Sequence, residues 1–463
     1  MIKLNNIKGL HFGFSMLFVM IGMVCKGQNP IIQTKYTADP APMVYHDTVF
    51  LYTSHDEDDS PPGQGKFLMR NWLCYTSTDM VNWTDHGEVA SLKNFKWADK
   101  AITGWGGFDN GAWAPQVIER NGKFYMYCPV QGRGIGVLVA DNPYGPFKDP
   151  IGSPLIGAKY DSIDPTVFVN DDGQAYLYWG NPNLWYVKLN KDMISLAGEI
   201  TKDSSVAKRA GQPDPFHYQE GPWAYKRNGH YYMAYASTCC PEGIGYAMSK
   251  SPLGPWEYKG YVMKPNKLST GNHPGIIDYK GKSYVFGFNF RLNFMETTQH
   301  HERRSVCVAE ITYNADGTIT EQPWWQEEGI APNGSLNPFT RNEAETIAWE
   351  KGLKTAKDSL KGMYVTAVDN NDYIKVRGVQ FKKAAKSFEV SIAAASSGGT
   401  IEIHLDSLEG KLLGSCSVVA TGGWNKWVTK SCKIQQLKGL HDIYFVFKGA
   451  DGQLFNIDWW KFK

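Results

Sequence analysis

Five stretches of this chain repeat one design. They are PAPMVYHDTVFLYTSHD from Pro40, PQVIERNGKFYMYCPV from Pro115, PTVFVNDDGQAYLYWG from Pro165, PWAYKRNGHYYMAYAS from Pro222 and PGIIDYKGKSYVFGFNF from Pro274. Each opens on proline, runs through a short apolar strand, turns at Asn, Asp, Gly or Lys, and returns as an aromatic-rich strand. Asn-Gly and Asp-Gly between such runs mark hairpins. Four copies are followed by a second hairpin, as in IGVLVADNPYGPFKD, IGYAMSKSPLGPWEYKG and WLCYTSTDMVNWTDHG. Two hairpins make a four-stranded sheet, and a repeat of about 50 residues is the size of one propeller blade. The sequence therefore predicts a five-bladed β-propeller, which leaves only short, protected strand edges. Segment 87–112 reads as an inserted loop.

The first strand of each blade lines the central channel, and proline at its start costs no ladder bond. The residues just before those prolines then ring one mouth. They are Asp39, Ala114, Asp164, Glu220 (one residue further back) and His273. Aspartate before proline ordinarily opens a turn, as at Asp149 and Asp214. Three carboxylates at equivalent places in a fivefold repeat are different. Like charges crowded together raise each other's pKa, an arrangement that is costly unless chemistry uses it. Carboxylates flanking a pocket serve glycosidic bond cleavage, one protonating the leaving oxygen and another activating water or attacking the sugar.

Residues 30 to about 330 resemble glycoside hydrolase family 43 through the ADP at Asp39, the SIDPTVF around Asp164 and the QEGPW around Glu220. The resemblance implies an inverting mechanism with Asp39 as general base, Glu220 as general acid and Asp164 tuning and positioning Glu220. It implies that Arg291, in FNFR, is the channel arginine that contacts the sugar. It also offers His273 as the anchor of a calcium or sodium ion on the channel axis; a hydrogen-bonded core histidine facing the substrate pocket is the alternative. Trp105 and Trp113, in GWGGFDNGAWAP, could form a sugar-stacking wall or serve as core aromatics. The run HDEDD, His55 to Asp59, reads as a solvated loop.

After a Pro/Asn/Gly/Ser linker at 331–340 the blade pattern stops. Residues 341–463 read as short alternating strands without helical periodicity, a β-sandwich of jelly-roll type. The marks NEAE, DNNDYIKV, GGWNKW and FNIDWWKF resemble carbohydrate-binding module family 6. That resemblance implies a structural calcium on Glu343, Glu345 and Asp458, and a sugar site built on Trp424 and Asn456. Ala367 stands where the family has its opposing tyrosine. Weak binding, binding through Tyr364 or the sandwich face, and a purely structural role all stay open.

The remaining features set limits. The net charge of +2, with no basic stripe, excludes a nucleic-acid partner. Aromatics at 14%, with 16 Trp and 25 Tyr, suit sugar-stacking surfaces. Residues 1–27 carry a lysine-bearing start and an apolar stretch from Phe12 to Val24. That is too short for a comfortable membrane span and reads as a signal peptide, with a lipoprotein anchor at Cys25 disfavoured by the bulky Val24. Seven of the eight cysteines follow, an odd number. A disulfide between Cys416 and Cys432 is open, and Cys239 and Cys240 read as buried strand residues. The expected protein is a secreted or periplasmic monomer acting on hemicellulose or arabinan without an organic cofactor. α-L-Arabinofuranosidase is favoured; β-D-xylosidase, endo-arabinanase and a non-catalytic sugar-binding propeller are the alternatives.

Overall fold

The computed structural model describes residues 29–463, apart from 100, 103–104, 107–108, 207–213, 215 and 270–271. The expected signal segment with Cys25 lies outside the described residues, as does the side chain of Trp105. The predicted five-bladed propeller is present, followed by a β-sandwich.

Blade 1 contains Tyr36–Tyr45, Thr48–Asp56, Asn71–Ser77 and Trp83–Ser91. Blades 2, 3 and 4 begin with Gln116–Arg120, Thr166–Val169 and Tyr218–Arg227, each the first of four antiparallel strands. Blade 5 has three, Gly275–Tyr279, Lys282–Asn289 and Ser305–Ile311. Its outer edge is taken by the start of the described chain. The Ile31 N–H donates to the Val306 carbonyl (2.8 Å), while the Asn29 amide exchanges two 3.0 Å bonds with the Val308 backbone. Early and late segments are thereby bonded, and the ring closes. Aromatic return strands fill the space between blades, as where Tyr232 of blade 4 meets Tyr313, just past the last strand of blade 5, edge to face with centroids 5.8 Å apart.

In the sandwich two 21-residue strands, Tyr373–Ala393 and Val428–Lys448, bend through both layers. They enclose a core that includes Phe388, Phe445, Trp460 and Phe462. Cys416 and Cys432 carry free thiols, so the open disulfide is not formed.

The sandwich is sewn to blade 1. Thr346–Ile347 adds to the sheet beside Trp83 and Thr84 as a fifth strand. The Asn82 amide exchanges bonds with the Arg377 backbone (2.8 and 2.9 Å). Asp85, fully enclosed, accepts from Lys35 (2.5 Å) and Thr355 (2.6 Å). Burial opposes its charge, but Lys35, Thr355 and the Gly87 N–H outweigh it and hold Asp85 below the usual carboxylate range. Segment 331–340 is itself bonded at both domains, through Asn333 N–H to the Asp79 carbonyl and Leu336 N–H to that of Gly378.

Candidate active site

A cavity of about 310 Å³ opens at one mouth of the propeller channel, within the size range of small-ligand sites. Asp39, Asp164, Glu220 and His273 all line it, brought from blades 1, 3, 4 and 5. The backbone shows how. Asp39 and Asp164 both sit at positive φ (51° and 56°), a region that aspartate enters more readily than most residues. The ladder slips between Ala38 and Ala41, and on both sides of Glu220. Such bulges re-aim a side chain that a regular strand would send elsewhere. Gly221, beside Glu220, has φ 59°, and a Cβ there would stand 3.1 Å from the His273 ring. Backbone conformation and space both require glycine.

The carboxylates are held differently. Asp39 accepts from Ser54 Oγ (2.6 Å) and from both terminal nitrogens of Arg304 (3.0 and 3.4 Å). Arg304 is locked in turn by Asp56, through Nε and Nη2 (both 2.9 Å) and its own backbone N–H (2.8 Å). Burial works against the guanidinium's charge, but Asp39 and Asp56 overcome it and raise its pKa. Glu220 accepts from Asn181 Nδ2 (2.5 Å), and Gln219 donates to the same asparagine (3.3 Å). Burial, and then the charge of Asp39, push Glu220 up to about 6. Asp164 accepts from the Gly221 N–H (3.0 Å) and so fixes the peptide that follows Glu220. Burial, Glu220 and Asp39 all raise Asp164 well above the ordinary range. The three acids thus divide into one paired with arginine and two that favour carrying protons.

His273 lies between two of them, its Nδ1 3.9 Å from both Asp39 and Asp164. Burial lowers its pKa to about 4, so the imidazole is neutral at physiological pH and its nitrogen fits a hydrated ion as one donor. Trp113 is half-buried on the cavity wall and packs against Phe67 with centroids 6.0 Å apart. The loop after blade 1's second strand covers one side of the mouth. It is laced to blade 5 by Gly63 N–H to the His300 carbonyl (2.8 Å) and Gly65 N–H to Glu302 (2.5 Å).

Three expectations need correction. Arg291 does not reach the pocket: it starts the short helix Arg291–Glu296, donates to the Asn29 carbonyl (2.6 Å), pairs with Glu327 (2.8 Å) and lies over Trp349. The pocket arginine is Arg304, whose two aspartate partners lie more than 240 residues away in sequence. The HDEDD run is not wholly solvated, since Asp56 is fully buried beneath Arg304. Cys239 and Cys240 are exposed, joined to each other, and on the cavity wall. Asn181 was the other residue missed; WGNPN offered only a turn signal.

In the sandwich, Trp424 is 39% exposed, whereas Asn456 is buried. The Asn456 amide donates to the Trp424 carbonyl (2.9 Å) and accepts from Thr366 and Gln453 (2.8 Å each). Tyr364 meets Trp427 edge to face at 5.4 Å. Asp458 is approached by Arg341 (3.2 Å) and Lys361 (3.6 Å), and Arg341 also pairs with Glu343. Glu345 has a buried Oε2 without a partner, and burial followed by nearby carboxylates pushes its pKa to about 9. An orphaned buried oxygen among acids fits a hard cation.

A propeller whose channel mouth gathers three carboxylates, one tied to arginine and one raised toward neutrality, is the framework of a glycoside hydrolase. The description "Glycosyl hydrolases family 43" matches residues 27–319 and "Carbohydrate binding module (family 6)" matches 343–463. The chain belongs to glycosyl hydrolase family 43 and carries a family 6 carbohydrate-binding module. It is 33% identical to an arabinoxylan arabinofuranohydrolase of Bacillus subtilis (strain 168), over 94% of this chain and 92% of that protein. With an arabinoxylan arabinofuranohydrolase of Paenibacillus polymyxa it shares 34% identity, over 94% of this chain and 74% of the relative. A β-xylosidase of Xylanibacter ruminicola is 31% identical over 62% of this chain and 97% of its own. The crystal structure of the family 43 arabinoxylan arabinofuranohydrolase from Bacillus subtilis, in complex with cellotetraose, superposes with a TM-score of 0.80. That match has 32% identity and covers 94% of this chain and 97% of that one.

Proposed function

We infer that this enzyme removes α-L-arabinofuranosyl side groups from arabinoxylan with inversion at the anomeric carbon. The observation that carries the reading is the unequal treatment of the acids. Asp39, charge-paired with Arg304, acts as the general base on water, and Glu220, raised to about 6, donates its proton to the leaving oxygen. Asp164 positions Glu220 through the Gly221 N–H. The loop that covers one side of the mouth favours a pocket for one terminal sugar over an open cleft. Two relatives matched over 94% of this chain and named for arabinoxylan support the substrate.

β-D-Xylosidase is the second reading, favoured by the name of the Xylanibacter ruminicola relative over the propeller. Comparing 4-nitrophenyl arabinofuranoside with the xylopyranoside, and following arabinose release from arabinoxylan, separates the two. Proton NMR of the first-formed anomer tests inversion, and a retained configuration refutes it. Export is part of the proposal, supported by the leading Phe12–Val24 stretch and by a disulfide on the pocket wall, a bond that persists in oxidising compartments. Glu343, Glu345 and Asp458 would hold the module's calcium, and His273 would hold an ion in the channel. Added calcium should raise the thermal midpoint of a chelator-treated sample, and no shift would remove both sites.

A further inference from the structure

The loop after blade 4's second strand carries a group with no part in the steps above. Cys239 and Cys240 form a disulfide between neighbouring residues, exposed and lining the catalytic pocket. The loop is firmly tied. Thr238 N–H donates to the His217 carbonyl (2.7 Å), its hydroxyl to that of Pro241 (2.8 Å), and Glu242 N–H to that of Ser269 (3.2 Å). The buried Glu242 carboxylate accepts from the Asn272 N–H beneath it.

Register places this group. Glu220 faces Ala236 and Tyr218 faces Ser237, so the disulfide emerges just beyond the strand that backs Glu220. Asn181 and Gln219 line the cavity, Asn181 donating to the Glu220 carboxyl and Gln219 donating to Asn181. Blade 1's loop contributes another part of the wall, with Phe67 and Gly65. A disulfide donates no hydrogen bond and is compact and polarizable, a surface suited to the C–H face of a sugar ring.

We propose that the Cys239–Cys240 disulfide is the wall on the leaving-group side of the pocket. It packs against the sugar from which the pentose is cut and sets preference for polymer over simple glycosides. This rests on the reading of Glu220 as proton donor. The disulfide touches no reacting atom, so its contribution falls on substrate binding and appears in KM rather than kcat.

The full-length protein is compared with Cys239→Ser/Cys240→Ser and with unaltered protein treated with dithiothreitol. In the reduction two electrons and two protons pass to the two Sγ atoms and break their bond, while dithiothreitol closes to its cyclic disulfide. No other disulfide exists among the described residues, and iodoacetamide labelling of Cys239 and Cys240, read by mass, reports completion. KM for an arabinoxylan oligosaccharide should rise about tenfold, and that for the aryl arabinofuranoside less than about twofold, with kcat and the pH profile unchanged. Reoxidation should restore both. An unchanged oligosaccharide KM in fully reduced protein overturns the proposal, as does an equal loss on both substrates or a loss confined to kcat. If the double variant does not fold, the reduced protein decides alone. Failure of the underlying reading is separate: it would show as near-normal turnover of oxidised Glu220→Gln on the oligosaccharide.

Discussion

The propeller pocket and the Trp424 loop of the module use similar materials, aromatic rings and carboxamides at strand ends, but they differ in charge. The pocket encloses Asp39, Asp164 and Glu220 with one guanidinium, Arg304, paired to the first. Both aspartates sit at positive φ as well. The module's loop presents Trp424 to solvent and spends the Asn456 amide on holding that loop's backbone. Enclosed like charges and a strained backbone raise the energy of the folded state, and such features persist where chemistry needs them. An exposed ring held by an ordinary hydrogen bond costs little. A partner ring can therefore be absent, as at Ala367, without unsettling the fold.

From this contrast, the largest losses should come from the pocket's charges. Asp39→Asn should lower kcat by about 10³-fold or more on every glycoside, because removing a general base, the role proposed for Asp39, costs about 10²–10⁴ and Arg304 also loses a partner. Turnover within tenfold of the parent on the aryl substrate would break the comparison. Glu220→Gln should be nearly as severe on natural linkages but milder on aryl glycosides, whose leaving groups need less protonation. As a proton donor raised to about 6, Glu220 should give an activity that falls as pH climbs through that value. The sign for stability follows from the same shift. Its folded pKa exceeds the unfolded one, so the native state loses stability between about 4.5 and 6, and the loss persists above. Glu220 is half-buried and partly screened, so Glu220→Gln should gain about 1 kcal/mol at pH 8 and nothing at pH 4. Thermal melts at the two values check this.

Removing 341–463 sharpens the comparison differently, because the module is fastened to the propeller. The deletion strips a strand from blade 1, Thr355 from the enclosed Asp85, and the Arg377 backbone from Asn82. Unsatisfied buried groups of this kind cost about 1–3 kcal/mol each, so the truncated propeller should melt several degrees lower. Turnover of the aryl glycoside per folded molecule should be kept. An unchanged melting midpoint would mean that the contacts with blade 1 contribute nothing.

The repeat made the architecture legible, since proline starts and Asn-Gly turns are local signals. The same periodicity puts Asp39, Asp164, Glu220 and His273 on one ring. Arg304 was not legible. Nothing in HERRSV distinguishes it from its neighbours, and its role arises from Asp39 and Asp56, which the closed ring brings beside blade 5. The adjacent cysteines misled for a related reason: apolar composition suggested burial, whereas the loop beyond the strand turns them toward the cavity. Linear patterns report which face a strand residue occupies; they do not report which long-range partners meet at strand ends.

The smallest effect is expected at Trp424, and it probes the module's side of the comparison most directly. The ring is 39% exposed and without an opposing aromatic at position 367, so a sugar stacked there would meet it on one face only. Stacking of aromatic rings is worth about 0.5–1.5 kcal/mol beyond area burial, and a single sugar–ring contact should fall in the same range. Trp424→Ala should therefore weaken retention on insoluble arabinoxylan by about three- to tenfold, with melting point and aryl glycoside kinetics unchanged. Unchanged retention would shift the binding surface to the Tyr364–Trp427 pair, where Tyr364→Ala gives the matching measurement. A loss of hydrolysis on the small substrate would be the more damaging result. It would mean that the exposed ring and the enclosed acids are coupled through the fastening at blade 1, and that the two regions do not act independently.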